Sequence, residues 1–226
     1  YKKGEGLLLN QPSIISFDAN QIIGVGTIAK EIEGKHPGYV ETVRPLKDGV
    51  IADFHAAEQM IRSFVKSLKI QPIFLNKIIC GVPTSITPVE QRAVIQALEE
   101  VGAKEIRLIA EPMAAAIGAG LNVFLPKASL VVDIGGGTTD IAVISYGRIV
   151  VDNTIKIAGD ELTFSIQNHI KNKFNLLIGE STSEKIKINY GYAIEPEKEI
   201  FINVKGLDYL TGLPKTISIS VTEIIE

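Results

Sequence analysis

The sequence predicts an α/β fold, and three observations carry the prediction. Short β-prone runs alternate with helical patterns through the middle of the chain, the order of an α/β architecture rather than an all-α or all-β one. A strong helix start stands between two of those runs, and a β-meander farther on is punctuated by three successive glycines. At 226 residues, with 46% hydrophobic and 22% charged residues, the chain can bury a core as one large domain or two modest ones.

Leu7 to Phe17 and Ile22 to Thr27 read as strands parted by the turn-forming Asp18-Ala19-Asn20. Gly34-Lys35-His36-Pro37-Gly38 and Arg44-Pro45-Leu46-Lys47-Asp48-Gly49 read as loops. Phe54, Ala57, Ile61, Phe64 and Leu68 then fall at helical spacing, which predicts a helix over Asp53 to Leu68. Lys77 to Val82 predicts a buried strand stopped by Pro83. In Thr87-Pro88-Val89-Glu90 the threonine caps, the proline suits the first helical position, and the glutamate closes a capping box. That helix should run to Val101 and end on Gly102. Ile106 to Ile109 reads as a strand and Ala114 to Ala119 as a small-residue helix. Ser129 to Ile134, a buried strand, and Thr139 to Ser145 are two strands joined by glycines, and Tyr146-Gly147-Arg148 turns the chain into a third, up to Ile157. Helices follow over Asp160 to Phe174 and Ser181 to Tyr190, the second with its own capping box, Ser181 and Glu184. The tail reads as two strands around Lys205 and Ile217.

Several function classes drop out. A net charge of −3 and a pI near 5.7 lack the basic face of a nucleic-acid binder, so no nucleic-acid partner is expected. Cys80, the single cysteine, has no internal disulfide partner; it fits a reducing cytosol and reads as core packing. No signal peptide is visible, and no apolar run approaches the ~20 residues that span a bilayer. His36, His55 and His169 lie far apart in sequence and make no zinc set. Tyr1 stands where an initiator methionine would, and Val221 to Glu226 reads as the opening of a helix, so a piece of a longer protein is expected.

The most informative segment is Leu130-Val131-Val132-Asp133-Ile134-Gly135-Gly136-Gly137-Thr138-Thr139-Asp140. A strand delivers an aspartate to its end, three glycines turn the chain, and a second strand leaves. Three glycines together cost chain entropy, and what they permit is close backbone approach with several N–H groups converging on an anion. Asp133 is well placed to hold a hydrated Mg²⁺, which takes one or two carboxylates and keeps its waters. A plain hairpin with a glycine bulge is the alternative. A Walker loop does not fit, because no Gly-Lys-Ser/Thr follows, and a dinucleotide fingerprint does not fit, because a strand follows the glycines.

This segment resembles the second phosphate loop of the actin, heat-shock chaperone and sugar kinase superfamily. Other pieces stand in the superfamily's order: Glu111-Pro112-Met113-Ala114 upstream, then Ala158-Gly159-Asp160-Glu161, then Glu184-Lys185-Ile186-Lys187. Arg44 to Phe54 and Glu111 to Gly120 are more specific. With Leu9 to Ser13, Gly102 to Glu105 and Leu176 to Glu180, they resemble the MreB family of bacterial actin homologues nearly letter for letter. A chaperone-type ATPase and a metabolite kinase of the same superfamily are the rival readings, and the Arg44 to Phe54 segment argues against both.

The resemblance implies an actin-like ATPase fold, with ribonuclease H-like lobes around a nucleotide cleft, incomplete at both termini. It places the first lobe over 1–125, its small subdomain over about 1–50, and the second over 126–226. It implies an ATPase using ATP, ADP and Mg²⁺, in filaments that guide cell shape. By position, Glu111 orients the attacking water and Thr138 acts beside the γ-phosphate. Gly135, Gly136, Gly137 and Thr138 contact phosphate, Asp133 holds Mg²⁺ through water, and Glu161 meets the ribose. Glu184, Lys185, Ile186 and Lys187 form the adenine-side helix; the family usually carries arginine at Lys185, so a stacking or bidentate contact is weaker here. Each carboxylate has a plainer reading beside this one: Glu111 and Glu161 as acidic residues in a helix's first turn, Glu184 as the capping box. The implied partners are further copies of the chain, the cell-wall elongation machinery and the inner face of the cytoplasmic membrane. Ile73, Phe74 and Leu75 stand where the family carries an apolar membrane loop, or else they begin the next strand. The implied location is cytoplasmic and peripheral to that membrane. The superfamily's first phosphate loop should precede Tyr1, so the piece alone is expected to be inactive.

Overall fold

The computed structural model describes residues 1–2, 4–34, 38–47, 49–69 and 77–225. Contacts divide the chain into two compact units, residues 1–133 with 139–155, and residues 134–138 with 156–226.

In the first unit β1 (Ile15–Asp18) pairs antiparallel with β2 (Gln21–Val25) and β3 (Val40–Val43). The short helix α1 (Thr27–Ile32) lies between β2 and β3 in sequence. Leu7 to Ser13 is not part of the first strand. Gln11 instead spends its side chain on α1, its Oε1 accepting from the Thr27 N–H at 2.7 Å and from the Thr27 hydroxyl at 2.9 Å. Thr27 therefore opens a helix rather than closing a strand. A two-stranded hairpin, β4 (Leu46–Lys47) and β5 (Val50–Ile51), leads into α2 (Phe54–Ser67). Asp53 caps α2 by accepting from the Ala56 N–H at 2.9 Å. Ile15, Ala56 and Met60 form the core here, with Phe17, Val43 and Phe64 packed around them.

Strands β6 (Lys77–Val82) and β7 (Glu105–Ala110) pair in parallel across the connecting helix α3 (Pro88–Glu100). Thr87 and Glu90 form the expected capping box, with the Thr87 N–H donating to Glu90 at 2.7 Å. Helix α4 (Glu111–Gly118) starts three residues earlier than its alanine run indicates. Then β8 (Ser129–Ile134), β9 (Thr139–Ser145) and β10 (Arg148–Ile155) form a sheet in the order β10-β9-β8. One face of that sheet packs on α4 through Ala116, Ala142, Ile144, Met113 and Val131. Neither β6 nor β8 is buried on both faces as expected: Ile79 is 70% exposed and Leu130 66%. Only the residues turned to the packed face are covered, so a continuous apolar run overstated burial.

The second unit holds α5 (Gly159–Phe174), β11 (Leu176–Leu177), α6 (Glu180–Tyr190), β12 (Phe201–Asp208), β13 (Pro214–Ser220) and α7 (Thr222–Ile225). Its sheet runs β11-β12-β13, and Ile166, Ile170, Leu176, Ile186, Val204 and Ile219 fill its core. Helix α5 ends on Asn175 in the left-handed conformation, which asparagine tolerates. The second capping box is absent, because α6 begins at Glu180 with Gly179 as its N-cap and no side-chain cap. Ser181 thus lies inside the helix rather than before it. Among the described residues no helix is long and apolar enough to cross a membrane. Ile73, Phe74 and Leu75 lie outside the described residues, as does His36.

Candidate functional site

In the first unit the chain leaves β7 directly into α4, so Glu111 is the first helical residue and Pro112 the second. Proline is at home there, since a first-turn N–H has no helical acceptor. On the neighbouring strand, a Cβ added to Gly81 would stand 3.4 Å from Glu111 Cγ, so Glu111 lies over β6 at that point. Burial pushes the Glu111 carboxyl above the usual range, and the charges of Asp140 and Asp133 push it the same way. Burial and then the Glu111 charge likewise raise the Cys80 thiol, which is held protonated rather than activated.

Asp140, at the second position of β9, is only 2% exposed. Its Oδ1 accepts from Thr154 Oγ1 at 2.6 Å and from the Thr84 hydroxyl at 3.2 Å, and the Thr84 N–H lies 3.4 Å away. The two threonine hydroxyls are themselves 3.1 Å apart. Sequence reading passed over this network. The visible signal was one carboxylate opening an otherwise apolar strand, Asp140-Ile141-Ala142-Val143-Ile144, but the threonines that hold it come from distant positions.

In the second unit the glycine loop is tied to the start of α5. The Gly135 N–H donates to the Thr138 carbonyl at 2.9 Å, closing the turn. The Gly135 and Gly136 carbonyls accept from the N–H groups of Gly159 (3.0 Å) and Asp160 (2.8 Å), which a helix start leaves without partners. A side chain would crowd this approach at Gly159, where a Cβ would stand 3.2 Å from the Gly135 oxygen, while one on Gly136 would meet an Asp160 carboxylate oxygen at an ordinary 3.4 Å. Gly135 thus spends its own N–H on the turn. Among the described residues no protein acceptor takes the N–H groups of Gly136, Gly137 or Thr138. Thr138 is buried at 7% exposure.

Of the helical residues singled out from sequence, Glu161 is exposed in the first turn of α5. On α6, Glu184 is half-buried and Lys185 exposed, while Ile186 turns its side chain into the core of the unit. Lys187 reaches back to α5, its Nζ donating to the Gly159 carbonyl at 2.6 Å and to Thr163 Oγ1 at 2.8 Å. Beside it, Ser183 donates to the Thr163 carbonyl at 2.6 Å.

Comparison with known proteins gives the family. The pattern of the MreB/Mbl protein family matches residues 1–226. The chain belongs to the MreB/Mbl protein family. It is 46% identical over 227 residues to the cell shape-determining protein Mbl of Bacillus cereus, covering 99% of this chain and 68% of that protein. It is 39% identical over 234 residues to the cell shape-determining protein MreB of Escherichia coli, covering 100% of this chain and 67% of that one. The crystal structure of MreB5 of Spiroplasma citri bound to AMPPNP superposes with a TM-score of 0.93 at 36% identity, covering 99% of this chain and 68% of that one. The fold is therefore actin-like, and this chain spans about two thirds of the length of each of these relatives.

Proposed function

We propose that the protein containing this chain binds and hydrolyses ATP and assembles into filaments that direct cell shape and cell-wall synthesis. The observation that carries this reading is the glycine loop: a turn closed by Gly135, pinned to α5, with the N–H groups of Gly136, Gly137 and Thr138 left for phosphate oxygens. Asp133 stands two residues before Gly135, so the chain itself keeps that carboxylate within several ångströms of the loop.

Glu111 is the group that orients and deprotonates water. The water oxygen forms a bond to the γ-phosphorus, and the bond from that phosphorus to the bridging oxygen breaks, its electron pair leaving on ADP. The water's proton passes to the Glu111 carboxylate, whose raised proton affinity suits it to the task. Thr138 supports the γ-phosphate from the loop, Glu161 meets the ribose, and Glu184 and Lys185 serve the adenine side. Ile186 serves that side by placing its helix, since its own side chain is in the core. The charges of Asp140 and Asp133 help raise the Glu111 carboxyl, a setting that a cation would relieve. Asp133 would hold a hydrated Mg²⁺, which takes one or two carboxylates and keeps its waters. When bound, that ion neutralises charge developing on the phosphates.

The lobes of the actin-like fold divide near residue 125 in this reading, with 1–125 in the first and 126–226 in the second. Filaments lie at the inner face of the cytoplasmic membrane, with Ile73, Phe74 and Leu75 as the contact, and there they meet the cell-wall machinery. Sedimentation of the intact protein with ATP tests the proposal, alone and as Glu111→Ala. Wild type should pellet, and the variant should pellet too while releasing phosphate about a hundredfold more slowly. Wild-type protein that stays in the supernatant with every nucleotide and lipid tried would sink the filament reading.

A further inference from the structure

Strand β12 has one edge that it does not use in full. Along one side it pairs with β13 from Phe201 to Leu207. Along the other it pairs with β11 at two positions only, Leu176 opposite Asp208 and Leu177 opposite Leu207, before the chain passes through Ile178 and Gly179 into α6. Among the described residues no strand pairs with that side over Phe201–Lys205. Alternate residues of a strand carry their N–H and C=O groups to such a side, where they can receive a further strand. Beside it runs a groove of about 420 Å³ between α6 and β12, lined by every residue from Phe201 to Lys205. Neighbouring side chains of a strand point to opposite faces, so a groove that meets all five follows the strand's edge and not one of its faces.

The lining says what fits. Phe201 is 62% exposed at one end, Lys205 is exposed at the other, and Lys185 comes from α6. Those two lysines are the groove's charges; Glu195, Glu197 and Glu199 precede β12 in sequence but do not line it. Ile186, Ile202 and Val204 share the unit's core and so tie α6 to β12. With α6 as its second wall the groove admits a single extended segment, whereas the edge of a second folded sheet would meet the helix. We propose that the β12 edge is a docking site for an extended acidic peptide of a partner protein, added as a strand that continues the line of β11. Main-chain bonds along Phe201–Lys205 hold the peptide, and its carboxylates answer Lys205 and Lys185. The nucleotide reading also claims Lys185, so Lys205 is the lysine to change.

The test is fluorescence anisotropy of the intact protein with a labelled synthetic peptide, Glu-Val-Glu-Val-Glu-Val, followed by hydrogen exchange of the complex. The peptide should saturate one site and slow amide exchange within Phe201–Lys205 at least tenfold, and its counterpart with lysine for glutamate should not bind. At least one of its two alternately N-methylated forms, which lose the donors on one edge, should bind tenfold more weakly. Lys205→Glu, at an unchanged melting temperature, should weaken binding at least tenfold and Lys205→Arg should keep it. If Lys205→Glu melts early, Lys205→Gln takes its place, with about a threefold loss expected. No binding, full affinity in Lys205→Glu, full affinity in both methylated forms, or protection that falls outside β12 overturns the proposal. Lys205→Glu that stays in the supernatant with ATP while wild type pellets gives the edge to a second copy of the chain, and overturns a foreign peptide as its occupant.

Discussion

Replacing Lys187 by methionine separates two roles that one lysine could hold. Its ammonium donates to the Gly159 carbonyl at 2.6 Å and to Thr163 Oγ1 at 2.8 Å, bridging α6 to the start of α5. Gly159 in turn donates to the Gly135 carbonyl at 3.0 Å, so Lys187 stands two bonds from the glycine loop. Methionine keeps the buried stem and loses the charge-assisted bonds, each worth roughly 1.5–3 kcal/mol. The Gly159 carbonyl keeps one donor, the Thr163 hydroxyl at 3.0 Å, so part of the loss is made good. The net cost is about 2 kcal/mol, roughly a thirtyfold loss in the folding constant. Urea unfolding of Lys187→Met followed by circular dichroism measures it, with nucleotide titration alongside. A pin predicts the drop in stability, with a smaller loss of affinity caused by a loosened loop. Unchanged stability with affinity lost tenfold or more would refute it and place the ammonium on the nucleotide.

Two further substitutions probe the rest of the structure. Glu111 binds its proton more tightly in the folded than in the unfolded chain, so its ionisation costs stability as pH rises from the ordinary glutamate range through the raised native value. Glu111→Gln removes that cost: thermal melts should show the variant more stable than wild type at pH 7, with the gap closing as pH falls to about 4, and a gap independent of pH would contradict the assignment. Gly206→Ala should cost about 1–3 kcal/mol by overpacking. Its Cβ would collide with the Leu177 carbonyl oxygen and stand 2.9 Å from Leu176 Cγ, at the pairing of β11 with β12. Urea unfolding at wild-type midpoint would show that the contact yields freely.

The two capping boxes show what a sequence reading can and cannot reach. Thr87-Pro88-Val89-Glu90 and Ser181-Thr182-Ser183-Glu184 carry the same local pattern, yet only the first forms. Pro88 fixes the first by excluding itself from any interior helical position. Nothing equivalent fixes the second: Ser183 goes to the Thr163 carbonyl, Ile186 into the core and Lys187 to Gly159, so packing against α5 sets the helix's register and its start moves to Glu180. The same division runs through the site. The local settings of Asp133, the glycines and Glu111 were legible, since a strand end, a turn and a helix's first turn are each written in neighbouring residues. The strands β3, β4, β5 and β11 were not, because two to four residues carry no period and are defined by distant partners. Asp140 belongs to that second kind. Its letter stood in plain view beside the glycine loop, but the threonines that anchor it are 56 residues before it and 14 after. The glycines, too, changed meaning once partners were visible. Gly135 uses its N–H to close the turn and, with Gly136, turns a carbonyl to α5, so the loop's geometry is set by what it donates and accepts within the protein. The N–H groups of Gly136, Gly137 and Thr138 are carried on a backbone that those internal bonds have already fixed.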